Sequence, residues 1–485
     1  MLIKAALSTI FLAIIGRSYL RLSLPQSTGW PLSEKLALSW LIGAGVLGWM
    51  THVSLLLSGR VSAAVWLIFG MVLVVDAAIH YRSILTFRPS LTGLRKISVG
   101  RISFAALPPL AFLVLQCACL LISSLWFTQG WDGTILWDLK AKAIYLDSAS
   151  NPGALMAYLN SPTSIHSHLD YPLLLPSCDA WVFFWAGTAD EQALKLIGPA
   201  FMLSLLALMV RSLTQILPAA HALLFACLLT TASYLFNHSK TGYADIPLAA
   251  LAGAAAIYGA DYLRKQTSSS LFLMALFTGF ATLVKKEGIL VAAVIPIAMT
   301  ITLLFARKPA DGVRSLLKSA CLIAVIACPW SLFLMIHKIP GGDFAPISGA
   351  IFTANWNRFM EVIAFMPKLM SERELFGWFW IISAIVAIAG VARWNRPNVS
   401  FLGLTCAGYL AAVAAIYIFS AWRPYWTHVQ SSLSRLLMHI APVAVLFAGH
   451  SFAEQFFSKP KSDLYAPADL GHPPAQPDKQ EAPVA

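Results

Sequence analysis

The sequence predicts an all-α polytopic membrane protein, and three observations carry that prediction. Of 485 residues, 58% are hydrophobic and the mean hydropathy is +0.71. Only 12% are charged, about half the ~25% of a soluble domain. Apolar runs recur at about 20 residues, the length that crosses the hydrocarbon core. The chain has 34 Lys and Arg against 22 Asp and Glu, and the basic residues stand in small groups between those runs. A net charge of +12 could suggest nucleic acid, but such a surface gathers its basic residues on one exposed face, and here they are spread over connecting loops. Six of the seven cysteines lie inside the apolar runs and only Cys178 lies elsewhere, which reads as small apolar filler rather than a disulfide framework or a zinc site.

In order along the chain, spans are expected at 2–20, 36–57, 61–81, 103–127, 191–214, 217–236, 245–263, 268–284, 287–306, 317–337, 376–393, 399–420 and 432–456. That is a bundle of about thirteen transmembrane helices. Residues 2–20 have no small-residue cleavage site after them, so they read as an uncleaved span. Arg82, Arg88, Arg95, Lys96 and Arg101 place the loop before residue 103 in the cytoplasm. The clusters at Arg264-Lys265, Arg307 to Lys318, Arg393 to Arg396 and Lys459 to Lys461 then also fall inside, provided that 173–186 does not cross. That segment is short and contains Pro176 and Asp179, so it reads as interfacial or re-entrant. The expected outer segments are 128–190, with juxtamembrane helical character, and 338–375. The Pro-rich end at 458–485 reads as a disordered cytoplasmic tail.

A charge inside a membrane costs about 2.5–3.5 kcal/mol on insertion scales, so placement is informative. Asp132, Asp138, Asp147, Asp170, Asp179, Asp190 and Glu191 put seven of 22 acids in the first outer segment. Asp245 in Gly242-Tyr-Ala-Asp-Ile-Pro247, Lys285-Lys286-Glu287-Gly288, and Arg423, His428 and Arg435 fall on the same side under this topology. Such convergence suits a lipid-borne group reacting with something from outside, at a plasma-membrane surface facing away from the cytoplasm.

Each piece has a chemical and a plainer reading. Trp131-Asp132 directly follows a span, where partial desolvation would raise a carboxyl toward the range of a general base; a solvated Asp beside an interfacial Trp is the alternative. Trp137 to Tyr145 reads as an amphipathic helix on the membrane, with Asp138 and Lys142 as an i, i+4 ion pair. His166, His168, Asp170 and Tyr171 carry metal-ligand types, but lining a polar substrate pocket suits them better than zinc. Asp245 before Pro247 fits a helix start as well as catalysis. Lys285-Lys286 at an outer helix end opposes the positive-inside tendency, which a negatively charged partner would explain. Arg435 and Arg423 fit a phosphate in the same way, or else snorkel to headgroups.

Together these residues resemble the GT-C superfamily of polytopic glycosyltransferases, especially the branch of aminoarabinose transferase and protein O-mannosyltransferases. The resemblance covers about 103–456 and rests on short motifs in a matching order. Gly130-Trp-Asp-Gly133 matches an acid just after a span in the first outer loop. Asp170-Tyr-Pro-Leu173 is similar to a Pro-containing juxtamembrane motif, Tyr243-Ala-Asp-Ile-Pro247 to a later acid before proline, and Leu283-Val-Lys-Lys-Glu-Gly288 loosely to a Thr-Lys-type motif. The family often has an acid pair where this chain has Asp-Gly, so Asp138 is a candidate for the second carboxylate. Residues 1–100 have no counterpart in the family core and read as added helices, leaving 101–457 as the catalytic membrane domain.

The resemblance implies transfer of a sugar from a polyprenyl-phosphate donor to a glycan, lipid or protein acceptor by one inverting displacement. The catalytic candidates are Asp132, Asp245 and Asp138. Lys285, Lys286, Arg435 and Arg423 are the donor-phosphate candidates, and Trp131, His168, Asp170, Tyr171, Glu287 and His428 would contact substrate. No cofactor is called for, and whether a divalent ion joins Asp132 and Asp245 stays open. A transporter or flippase of lipid-linked sugars is the competing class. Transporters usually place ionisable groups near the midplane and show two related halves, and neither sign is present here.

Overall fold

The structure is a computed structural model that describes residues 1–85, 103–306 and 310–457. Among these residues the chain is all-helical, without a strand. Ten helices among the described residues are long and apolar enough to cross a membrane: Leu2–Ser23, Leu32–Ser58, Ala63–Tyr81, Phe104–Trp126, Glu191–Leu213, Asp245–Lys265, Gly288–Phe305, Arg314–His337, Pro397–Phe419 and Tyr425–Phe456. Four shorter apolar helices, Leu174–Ala186, Ala219–Thr230, Ser268–Ala281 and Phe379–Ala389, complete the set. Only helices satisfy every backbone group within one lipid-exposed segment, which is why the apolar runs take this form. The expected tail at 458–485 and most of the basic loop before residue 103 lie outside the described residues.

Asp245–Lys265 is the central helix and is buried along its length. Its many Ala and Gly residues let neighbours approach closely. A Cβ at Gly253 would press on Leu205 and Pro442, and one at Gly259 on Phe401. The helices Ala63–Tyr81, Phe104–Trp126 and Arg314–His337 instead expose most of their apolar side chains, the pattern of a surface that faces lipid.

The first two helices share this core. Trp181 Nε1 donates to the Ser8 carbonyl at 3.0 Å, and Tyr258 donates its hydroxyl proton to Glu34 at 3.0 Å. His52 donates through Nδ1 to Gly48 at 2.7 Å and accepts the Leu173 N–H at Nε2 at 3.0 Å. The second helix therefore fixes the chain just after Asp170-Tyr171-Pro172.

The segment around 137–145 departs from expectation. A wide helical turn over Gly133–Asp138 leads into Leu139–Ala149, and the Asp138–Lys142 pair forms at 2.9 Å. Trp137, Asp138 and Lys140 are fully buried, so this is no helix resting on a surface. It packs against Leu174–Ala186, and burial there outweighs the amphipathic pattern.

Candidate functional site

Two motifs far apart in sequence meet at one end of the bundle. The Gly130 N–H donates to the Thr241 carbonyl at 2.9 Å. A Cβ at Gly133 would overlap that same carbonyl oxygen, and Gly242 has φ of +74°, in the left-handed region that glycine enters without strain. These glycines let the turn carrying Asp132 lie directly on the turn that leads into Asp245.

Arg435 joins the two acids. Its Nε and Nη2 donate to Asp245 Oδ2 at 3.1 and 2.9 Å, and its Nη1 pairs with Asp132 Oδ2. Lys285 Nζ lies 2.8 Å from Asp245 Oδ1, and His439 Nε2 is 2.8 Å from the same oxygen. His439 Nδ1 faces the Tyr409 hydroxyl at 2.9 Å. The sequence left open a divalent ion between Asp132 and Asp245; in the structure the guanidinium occupies that bridging place. Asp245 has no exposed surface, so its charge is held entirely by these partners, at a helix N-terminus whose dipole also favours an anion.

A second charged group lies beside the first. Lys286 pairs with Asp170, and its Nζ is 3.5 Å from Asp343 Oδ2. His168 Nδ1 is 2.8 Å from that same oxygen, while its ring stacks on Tyr171 with centroids 4.8 Å apart. His168 has φ of +48°, unusual for a residue with a Cβ. Its carbonyl accepts a 2.7 Å hydrogen bond from Lys140 Nζ, which holds it there. Burial pushes Lys140 down to about 7, against the raising influence of Asp170. For Asp343, burial acts upward, but the His168 hydrogen bond and charge, with Lys286 and Trp422, bring it down to about 2.

Between the two groups opens a polar cavity of about 200 Å³. Trp131, Asp132, His168, Tyr171, Lys285, Glu287, His428 and Arg435 line it, all of them singled out from the sequence. Trp131 is the exposed lip, at 76%. Asp245, Asp170 and Lys286 stand outside the lining: Asp245 pairs with Lys285 and Arg435 on the wall, Lys286 reaches Asp343 on the wall, and Asp170 pairs with Lys286, so Asp245 orients cations rather than facing a substrate. Lys285, expected to hold a phosphate, lines the cavity with its ammonium paired to Asp245 at 2.8 Å and Glu287 at 3.8 Å. Two candidates are not brought to the cavity. Asp138 is buried with Lys142, and Arg423 is exposed beyond the wall. Among the described residues no group of three or more His, Cys, Asp and Glu is arranged to hold a metal ion.

Sequence reasoning missed Asp343, Trp422, Lys140, His439 and Tyr409. Asp343 had one signal, an acid after Gly341-Gly342 within the second expected outer segment. That segment reaches the site because residues 343–345 pair with 419–421: Ala345 N–H donates to Phe419 at 2.7 Å, and Ala421 N–H to Asp343 at 3.0 Å. The pairing also sets Trp422 Nε1 3.4 Å from Asp343 and stacks its ring on His428. Lys140 reads as an exposed lysine of an amphipathic helix, so nothing in its neighbours' sequence signals burial.

No family model, curated protein or solved structure matches this chain. The functional reading therefore rests on its own residues.

Proposed function

We propose that the protein is a membrane glycosyltransferase of GT-C type that moves a sugar from a polyprenyl-phosphate donor to an acceptor hydroxyl outside the cytoplasm. One observation carries this reading: the charged cavity adjoins an apolar groove of about 290 Å³, and the two share Glu287, Phe344 and Ile416. Ile289, Leu290, Ile347 and Phe419 line the groove further out. A ligand with a polar head and an isoprenoid chain fits such a pair of spaces, and a free sugar would leave the groove empty. If Ala219–Thr230, Ser268–Ala281 and Phe379–Ala389 cross the bilayer with the ten longer helices, the span count is thirteen and the site faces outward.

In this reading Asp132 takes the proton of the acceptor hydroxyl. Its Oδ2 is committed to Arg435, which leaves Oδ1 for the substrate. The acceptor oxygen attacks the anomeric carbon as the bond to the lipid phosphate breaks, with inversion. Lys285 and Arg435, held in place by Asp245, present positive charge on the wall without reorganising during reaction. Incubation of the purified full-length protein with radiolabelled polyprenyl-phosphate glucose, mannose and arabinose tests the proposal. Release of polyprenyl phosphate with a labelled product is expected. Donor crossing vesicle leaflets without bond cleavage would replace the reading with transport.

A further inference from the structure

His168 and Asp343 form a pair that the transfer scheme above leaves unused. They come from different outer segments, and their 2.8 Å contact through Nδ1 leaves Nε2 as the nitrogen open to chemistry. His168 lines the cavity and its side chain is 29% exposed, whereas that of Asp343 is 7% exposed. A carboxylate that fixes one ring nitrogen while the other faces a substrate space is the arrangement of a proton-transferring histidine. Its place in the cavity decides which proton. The apolar groove meets the cavity at Phe344, the residue after Asp343, and Lys286 borders the groove on the same side. A prenyl chain in the groove would set its phosphate at that boundary, beside Lys286 and His168, and would direct the sugar inward toward Asp132 and Arg435.

We infer that His168, oriented by Asp343, is the general acid that protonates the departing lipid phosphate, an inference that rests on the transferase reading. The acceptor oxygen forms the new bond to the anomeric carbon and gives its proton to Asp132. The bond between that carbon and the phosphate oxygen breaks, its electron pair stays on the phosphate, and that oxygen takes the proton from His168 Nε2. His168 leaves the step neutral and Asp132 protonated, and proton exchange with water restores both. Lys286 steadies the phosphate charge, and Asp343 is a positioning residue, as is Lys140, which holds the His168 backbone at its positive φ. The groups facing the ring or its backbone are Asp343, Tyr171, Lys140 and His428, with Lys286 and Asp170 beyond them.

The test uses full-length protein and whichever of the labelled polyprenyl-phosphate glucose, mannose or arabinose donors the unaltered protein consumes. His168→Gln is expected to lower kcat by about 10²-fold with donor KM within about threefold, and to remove the alkaline limb of the pH–rate profile. Asp343→Asn is expected to lower kcat by about tenfold and to keep that limb. Imidazole added to His168→Ala is expected to restore part of the turnover, which a purely structural histidine would not allow. If the unaltered protein consumes none of the donors, the transferase reading fails. If it consumes one and His168→Gln keeps both its kcat and the alkaline limb, the general-acid inference alone is overturned. Loss of activity in His168→Ala that imidazole does not relieve, in protein that still unfolds at the unaltered temperature, also counts against it.

Discussion

Replacing Asp245 by Asn keeps the size of the side chain and removes its charge, and the consequence can be worked from the contacts. Asp245 is fully buried, and the side chains of Lys285 and Arg435 are 3% and 16% exposed. Arg435 keeps Asp132 as a partner, but Lys285 retains only Glu287 at 3.8 Å. The amide also cannot accept four hydrogen bonds as the carboxylate does. Breaking a buried ion pair by removing one member costs about 3–5 kcal/mol, because the other charge stays desolvated. The remaining partners place Asp245→Asn toward the lower end, at about 3 kcal/mol. Stability would be read from unfolding of the purified protein in mixed detergent and SDS. Lys285→Met alone should also destabilise, since it strips a donor from Asp245. The double variant Asp245→Asn with Lys285→Met should cost less than the two single changes added, with a coupling of about 1 kcal/mol or more. Additivity within about 0.5 kcal/mol, or an Asp245→Asn variant that unfolds with the unaltered protein, would refute the view that Asp245 holds the cation set.

Four further outcomes follow from the same contacts. Asp132→Asn should lower sugar transfer by about 10²- to 10⁴-fold at unchanged expression, and near-normal transfer would remove Asp132 from the reaction. Lys286→Ala should raise donor KM more than it lowers kcat, because Lys286 borders the groove and pairs with Asp170 rather than lying on the cavity wall; an unchanged KM would take the phosphate away from it. Gly133→Val should destabilise by about 1–3 kcal/mol, measured by detergent unfolding, since its side chain overlaps the Thr241 carbonyl, and a neutral result would show that the two turns are not in contact. Lys140 has its folded-state value lowered from 10.5 to about 7, so between those values the unfolded chain holds a proton that the folded one has released, and stability rises with pH across the window. Thermal midpoints at pH 7 and pH 9 should therefore rise more steeply in the unaltered protein than in Lys140→Met, and parallel slopes would contradict this.

What was legible in the sequence was set by local composition. Apolar runs of about 20 residues become helices because lipid offers no other partner for the backbone, and ten such helices are present among the described residues. Scarcity of acids made each one informative, so eight of the thirteen candidate residues line one cavity, and Asp245, Asp170 and Lys286 stand directly behind it. Local pattern misled where burial overrode it, as for Asp138 and Lys140, whose helical spacing is that of a surface helix although both are enclosed.

Hydropathy and charge are properties of single residues and short windows, so the helical membrane class and the charged motifs were readable from the chain alone. Tertiary structure alone decided which charges neighbour one another. Arg435 bridges Asp132 and Asp245 across 303 and 190 positions, and Asp343 meets His168 across 175. Contacts of that span depend on how helices pack and where loops cross, and a buried charge is stable only where packing delivers its partner. Packing thus sorted the acids into one that faces the cavity, one that holds the cations, and one that orients a histidine.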